Sequence, residues 1–202
     1  MTYKTRTLET LEIVGGSLCL DFTNTINSRH KPEHDYLAEY SDLVNWAVKV
    51  GYISVSQGRR LQRQAKQDEA NAQAALQKAV SLRELLYRLL SKLANRSEPP
   101  REDMETFVKF YAQAISYGVF LRKGDSFAVD WELDANYDAI LWPITYSAGQ
   151  LLLSGKLVRV KECPNCGWLF VDTSKNRNRR WCSMNTCGVR DKMRRYHRKL
   201  RG

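Results

Sequence analysis

Residues 163–187 read "CPNCGWLFVDTSKNRNRRWCSMNTC" and contain four of the chain's five cysteines in the pattern Cys163-x2-Cys166-x15-Cys182-x4-Cys187. Two close pairs joined by a connector of this length match the spacing of a four-thiolate metal site. Each pair forms a tight knuckle, and the connector folds back to bring the knuckles together. In "CPNCG", Pro164 stiffens the first knuckle and Gly167 lets backbone amides turn towards sulfur. A disulfide framework fits poorly in a chain with no secretory signal. A Cys-x-x-Cys redox couple would explain the first pair and leave the second without a role. Four thiolates also suit an iron–sulfur cluster, but the dense Lys and Arg around them favour redox-inert zinc.

The surroundings of the cysteines sharpen the reading. The chain of 202 residues carries a net charge of +10, from 32 Lys+Arg and 22 Asp+Glu. Residues 156–202 hold 14 of the basic and 3 of the acidic residues, leaving 18 against 19 in residues 1–155. The expected organisation is therefore a neutral body, 1–155, followed by a basic cysteine module, 156–202. Between the cysteine pairs, Trp168 to Asp172 and Arg179 to Trp181 read as the two arms of a hairpin. After Cys187, Val189, Met193, Tyr196 and Leu200 recur at i, i+4, i+7, i+11, as the hidden stripe of a helix with a basic exterior. Knuckle, hairpin and a second thiolate pair at a helix start is the order of a treble-clef-like finger.

A dense cationic surface on a scaffold too small to fold without metal points to nucleic acid, duplex DNA ahead of RNA. The candidate contacts are Arg177, Arg179 and Arg180 in the hairpin, with Arg190, Lys192, Arg194, Arg195, Arg198 and Lys199 on the helix. Arg201 continues that helix exterior.

The body reads as mainly α with a minor sheet. "LEIVGG" suggests a strand and turn, and "SLCLDFTNTIN" a second strand or a short helix. Leu43, Trp46, Ala47 and Val50 mark an amphipathic helix with Ser41 as N-cap and Gly51 as C-cap. Ser54 and Gln57 open a long helical stretch at capping-box spacing, as one helix or two joined near Asp68–Ala72, with Leu82, Leu85, Leu86, Leu89 and Leu93 facing the core. A further helix spans "REDMETFVKFYAQAIS". Lys123-Gly124-Asp125 turns a hairpin, and Pro143 either kinks or starts the helix through "LLLSG".

Catalytic signals in the body are sparse. His30 and His34 flank Pro32 and read as loop residues, and Cys19 in its apolar run as a buried structural thiol. Asp21, Asn24, Trp46 and Trp142 are candidates for lining a small-molecule pocket. With no apolar run of membrane-spanning length and no signal-peptide core, the expected location is the cytoplasm.

The segment "CPNCGWLFVDTSKNRNRRWCSMNTCGVRDKMRRYHRK" resembles the CGNR zinc-finger family, whose hallmark is Arg-Arg-Trp-Cys followed by Cys-Gly-Asn-Arg and a basic helix. "GGSLCLDFTNTI" and "YSDLVNWAVKVGYIS" look like the ABATE domain that accompanies this finger in bacteria, and the two resemblances cover nearly the whole chain. They imply a bacterial DNA-binding transcription regulator, zinc on Cys163, Cys166, Cys182 and Cys187, and a body that senses a small molecule. One departure stands out, since Val189 occupies the position of the signature Asn. An RNA-binding factor, or a small-molecule enzyme tethered by its finger, is the alternative. Dimerisation would add specificity to so small a finger. A separable finger would unfold on loss of metal and leave the body folded.

Overall fold

The computed structural model describes residues 6–133 and 136–200, so Arg201 lies outside the described residues. Among the described residues there are seven α-helices and two antiparallel hairpins, a mainly α fold with minor β. The organising element is α4, Glu69–Ala94, whose Leu82, Leu85, Leu86, Leu89 and Leu90 are buried. It is separate from α3, Val55–Gln67. At the junction Asp68 leaves helical geometry and its carboxylate accepts the Asn71 amide at 3.3 Å, capping the new helix. Ser54 and Gln57 form the expected capping box at the start of α3.

The opening apolar segment is not a strand. Leu11–Gly16 runs extended and irregular into a short helix α1, Leu18–Thr23. Helix α2, Tyr40–Val50, begins two residues earlier than Ser41 would allow as N-cap. Glu39 takes that place, and Asp42 reaches back to accept its amide at 3.0 Å. Gly51 ends α2 in the left-handed conformation, φ 83°. Helix α5, Arg101–Ser116, leads to the hairpin β1, Val119–Lys123, and β2, Ser126–Asp130, which turns at Gly124 with φ 61°. Pro143 sits in the first turn of α6, Trp142–Leu153, where its missing amide costs nothing, so it starts the helix and does not kink it.

The second hairpin differs from the sequence expectation. Strand β4, Leu169–Val171, pairs with β3, Val160–Glu162, and not with the return segment Arg179–Trp181. Hydrogen bonds Asp172 N–H to Arg159 and Cys163 N–H to Trp168 close its two ends, each at 2.8 Å. With Glu162 opposite Leu169 in this register, Leu169 lies in a non-hydrogen-bonded position and points its amide and carbonyl away from β3.

That outer edge is covered by the body. The Asn24 side chain donates to the Leu169 carbonyl at 2.9 Å and accepts its amide at 3.0 Å. Val171 donates to the Gly15 carbonyl at 2.8 Å, and the Trp168 indole to the Ile26 carbonyl at 2.7 Å. Leu20 and Phe22 of α1, the α4 leucines, Phe170, Trp181 and all four tail cysteines belong to one hydrophobic core. The finger therefore packs against the body along the outer edge of β4. This contact covers backbone groups that the edge of β4 would otherwise expose.

Candidate metal centre and nucleic-acid interface

The first knuckle closes where Gly167 donates to the Cys163 carbonyl at 2.8 Å. Gly167 has φ 74°, and a Cβ there would meet the Arg29 Cβ at 2.6 Å, so both the turn and the close approach of the body require glycine. From the body, the Arg29 amide donates to the Cys166 carbonyl at 2.7 Å. The second pair is separated by a wide π-type turn, Met184–Gly188, that delivers Cys187 to the start of α7, Val189–Lys199. Asn165, inside the first knuckle, donates to the Cys187 carbonyl at 3.1 Å and ties the two pairs together.

All four sulfurs are buried and lie within 4.8 Å of one another. Cys166 and Cys182 approach to 3.5 Å, and Cys182 and Cys187 to 3.7 Å. A tetrahedral ion with metal–sulfur bonds of about 2.3 Å would set sulfurs about 3.8 Å apart, so the cluster fits one such ion. Electrostatics lead to the same conclusion. Hydrogen bonds from Cys166, Cys182 and Cys187 pull the Cys163 thiol far below its ordinary value and Cys187 is lowered too, while Cys163, Cys166 and Cys187 push Cys182 far up. The thiols therefore cannot all deprotonate together unless a cation joins them.

Residues 159–199 match the model of the CGNR zinc finger, and residues 16–155, more than half of the chain, match that of the ABATE domain, described as "Putative stress-induced transcription regulator". The chain belongs to the ABATE family and carries a CGNR zinc finger. No curated protein matches it. The two ABATE–CGNR segments lie in the order that the sequence motifs imply.

Within this CGNR finger the candidate basic residues divide. Arg177 and Arg180 are exposed, with Arg180 over the Trp181 ring at 4.7 Å. Arg179 is turned inward. Its guanidinium lies 4.4 Å over the Phe170 ring and donates to the carbonyls of Trp181, at 3.0 Å, and Cys182. It is a brace of the second knuckle, with its guanidinium committed to these internal contacts. On α7, Arg190, Lys192, Arg198 and Lys199 are exposed. Asp191 pairs with Arg195 at 3.0 Å and Arg194 at 3.8 Å, and Arg194 also donates to Asn165.

The stripe expected to be hidden on α7 is in solvent: Val189 is 49% exposed, Met193 40%, Tyr196 58% and Leu200 67%. Helix α7 packs mainly against the π-type turn that precedes it, so the periodicity correctly gave a helix while its burial did not follow.

The sequence overlooked Asp172. Fully buried, its carboxylate accepts from Lys161 Nζ at 2.7 Å, the Ser174 hydroxyl at 2.6 Å, the Ser174 amide at 2.9 Å and the Arg179 amide at 3.0 Å. Burial alone would raise its pKa, but Lys161 and Ser174 overcome that and hold the carboxyl well below the usual range. Lys161 also reaches the carbonyls of Arg177 and Arg179, so Asp172 and Lys161 together shape the basic loop. The signal available in sequence was an acid at the end of an apolar strand within a basic segment.

The four residues proposed for a pocket are not brought together as one. Asp21 accepts the Gly15 amide at 2.7 Å, and burial pushes its carboxyl up to about 6. Asn24 is committed to Leu169. Trp46 is fully buried against Phe22, with ring centroids 5.3 Å apart. Trp142 alone borders a cleft, stacked on Tyr117 at 4.4 Å. Each is explained by a local packing or hydrogen-bonding role. Cys19 is buried beside Ser17, and burial pushes its thiol up, as befits a structural residue.

Arg83, in the helix α4 that also presents the core leucines, is a buried anchor missed in sequence. It is bidentate to Asp35 with both bonds at 2.7 Å, and Glu84 links it to Arg29. This network fixes the loop that carries Arg29 to the first knuckle.

Proposed function

We propose that the protein is a zinc-dependent, DNA-binding transcription regulator acting in the cytoplasm, with residues 1–155 as an effector-sensing body and residues 156–202 as the DNA-binding finger. Zinc is the metal that suits four buried thiolates in a cluster of this size. Cys163, Cys166, Cys182 and Cys187 would hold it, and it would supply the positive charge that lets all four deprotonate. Among the described residues no helix is long and apolar enough to cross a membrane, which is compatible with this setting.

The observation that carries the reading is the fate of the finger's acids. Asp172 is consumed internally by Lys161. Glu162 accepts from Ser91 at 2.7 Å and Asn95 at 2.8 Å on the body. Asp191 is engaged by Arg195. The cations Arg177, Arg180, Arg190, Lys192, Arg198 and Lys199 are left exposed on a metal-stapled unit. Six phosphate contacts would give a salt slope near −5, about a thousandfold loss of affinity between 50 and 200 mM salt. Arg194 and Arg195 would add to this surface by exchanging Asp191 for phosphate.

Titrating the intact zinc-loaded protein with duplex DNA and with structured RNA at those two salt concentrations tests the proposal. Tighter binding to duplex DNA with that slope is expected. Preference for RNA, or no saturable binding to either at 50 mM salt, would overturn it.

A further inference from the structure

Where the body meets the finger, α6 and the segment after β4 enclose a cleft of about 590 Å³. Its size is that of a metabolite site. Three cations border it, Lys156, Arg159 and Lys175, and no carboxylate does among the described residues. The hydroxyls of Ser17, Ser147, Ser154, Thr173 and Ser174 line the same space. Elsewhere charge is compensated: the wider cleft beside Trp142 contains Lys78 already paired with Asp138 at 2.5 Å.

The groups here are held in place. Arg159 donates to the carbonyls of Asp172 at 3.1 Å and Ser174 at 3.3 Å, which fixes a guanidinium at the rim with further N–H groups to offer. Ser147 is anchored by the Cys19 amide at 3.2 Å and by Ser17 at 3.0 Å. Lys156 and Lys175 are exposed, and among the described residues no hydrogen bond or ion pair engages their side-chain nitrogens.

We infer that this cleft binds a small, non-aromatic phosphate ester, with the three cations on the phosphate and the serine and threonine hydroxyls on the hydroxyl groups of the organic part. Three cations without a carboxylate select a multiply charged anion. Ser154 and Ser174 already donate to the Leu151 carbonyl and to Asp172 and so offer acceptor oxygens, and with Ser17, Ser147 and Thr173 they make a polar lining that suits a polyol. Among the described residues no aromatic side chain lines the cleft, so a nucleobase would find no ring there to stack on. Thr173, Ser174 and Lys175 belong to the loop that continues into Arg177 and Arg180, so an occupant would touch the segment that presents the finger's cations. The regulatory consequence rests on the DNA-binding reading; the binding site itself does not.

The test is calorimetric titration of the intact zinc-loaded protein, without DNA, with inorganic phosphate, glycerol 3-phosphate, glucose 6-phosphate and AMP. Saturable binding of the two sugar-type esters is expected, tighter than inorganic phosphate and AMP, and weakened at least tenfold in the Lys156→Glu, Lys175→Glu double variant. No saturable ester binding, or equal binding by that variant, overturns the inference. So does a variant that loses duplex affinity while the wild type binds no ester, because the lysines would then serve DNA directly. Duplex affinity measured separately without ester reports on the DNA reading alone. Protein that binds DNA but no ester fails only this inference, and protein that binds ester but not DNA fails only the other.

Discussion

Replacing Asn24 with alanine tests the claim that body and finger share one structure. The Asn24 side chain is 1% exposed and substitutes for a neighbouring strand, meeting both the amide and the carbonyl of Leu169. Alanine provides neither partner, and β3 faces the other side of β4, so both backbone groups become buried and unpaired. Each such loss costs about 1–3 kcal/mol, giving about 2–6 kcal/mol for the pair. In a chain of this size that lowers Tm by about 5–20 °C. The assay is thermal unfolding of zinc-loaded protein, followed by far-ultraviolet circular dichroism and by a colorimetric zinc indicator. Zinc release and helix loss should coincide, at the lower temperature, in the variant. A variant within about 1 kcal/mol of wild type would refute the reasoning, as would zinc release in an earlier step with the helices unmoved.

Three further outcomes are expected. Asp172→Ala strands Lys161 and the Arg179 amide and costs about 3–5 kcal/mol, measurable by urea unfolding at neutral pH. The Asp172 carboxyl is depressed in the folded state, so its contribution is complete above the unfolded carboxylate pKa of about 3.9 and is lost as pH falls below it; an acid titration of Tm should show wild type losing more than Asp172→Asn. Arg179→Ala should destabilise zinc binding and the fold, whereas Arg198→Ala should leave stability within about 0.5 kcal/mol of wild type and weaken duplex binding with a salt slope shallower by about one. Equal behaviour of the two arginine variants in both assays would show that the division of roles is wrong.

The helices were legible because their signals are local: the Ser54–Gln57 capping box, the leucine stripe of α4 and Pro143 at a helix start all act within a turn or two. The cysteine cluster was legible because metal geometry constrains spacing directly. What escaped is non-local. Strand β4 has neighbours at 160–162, at 15 and at 24, and nothing in residues 168–181 reveals that the first of these outcompetes Arg179–Trp181. Asn24 was visible as a polar residue in an apolar run, but its partner lies 145 positions away. Arg179 looked like its exposed neighbours Arg177 and Arg180, and only the position of Phe170 beneath it separates them. On α7 the 3.6-residue period reports a helix without saying whether any surface lies opposite its apolar side.

The most direct measurement is the affinity of the intact protein for duplex DNA before zinc is stripped by a chelator, after stripping, and after one equivalent of zinc is restored. The account predicts a loss of at least a hundredfold on stripping and recovery with that single equivalent. Unchanged affinity in the zinc-free protein would contradict it.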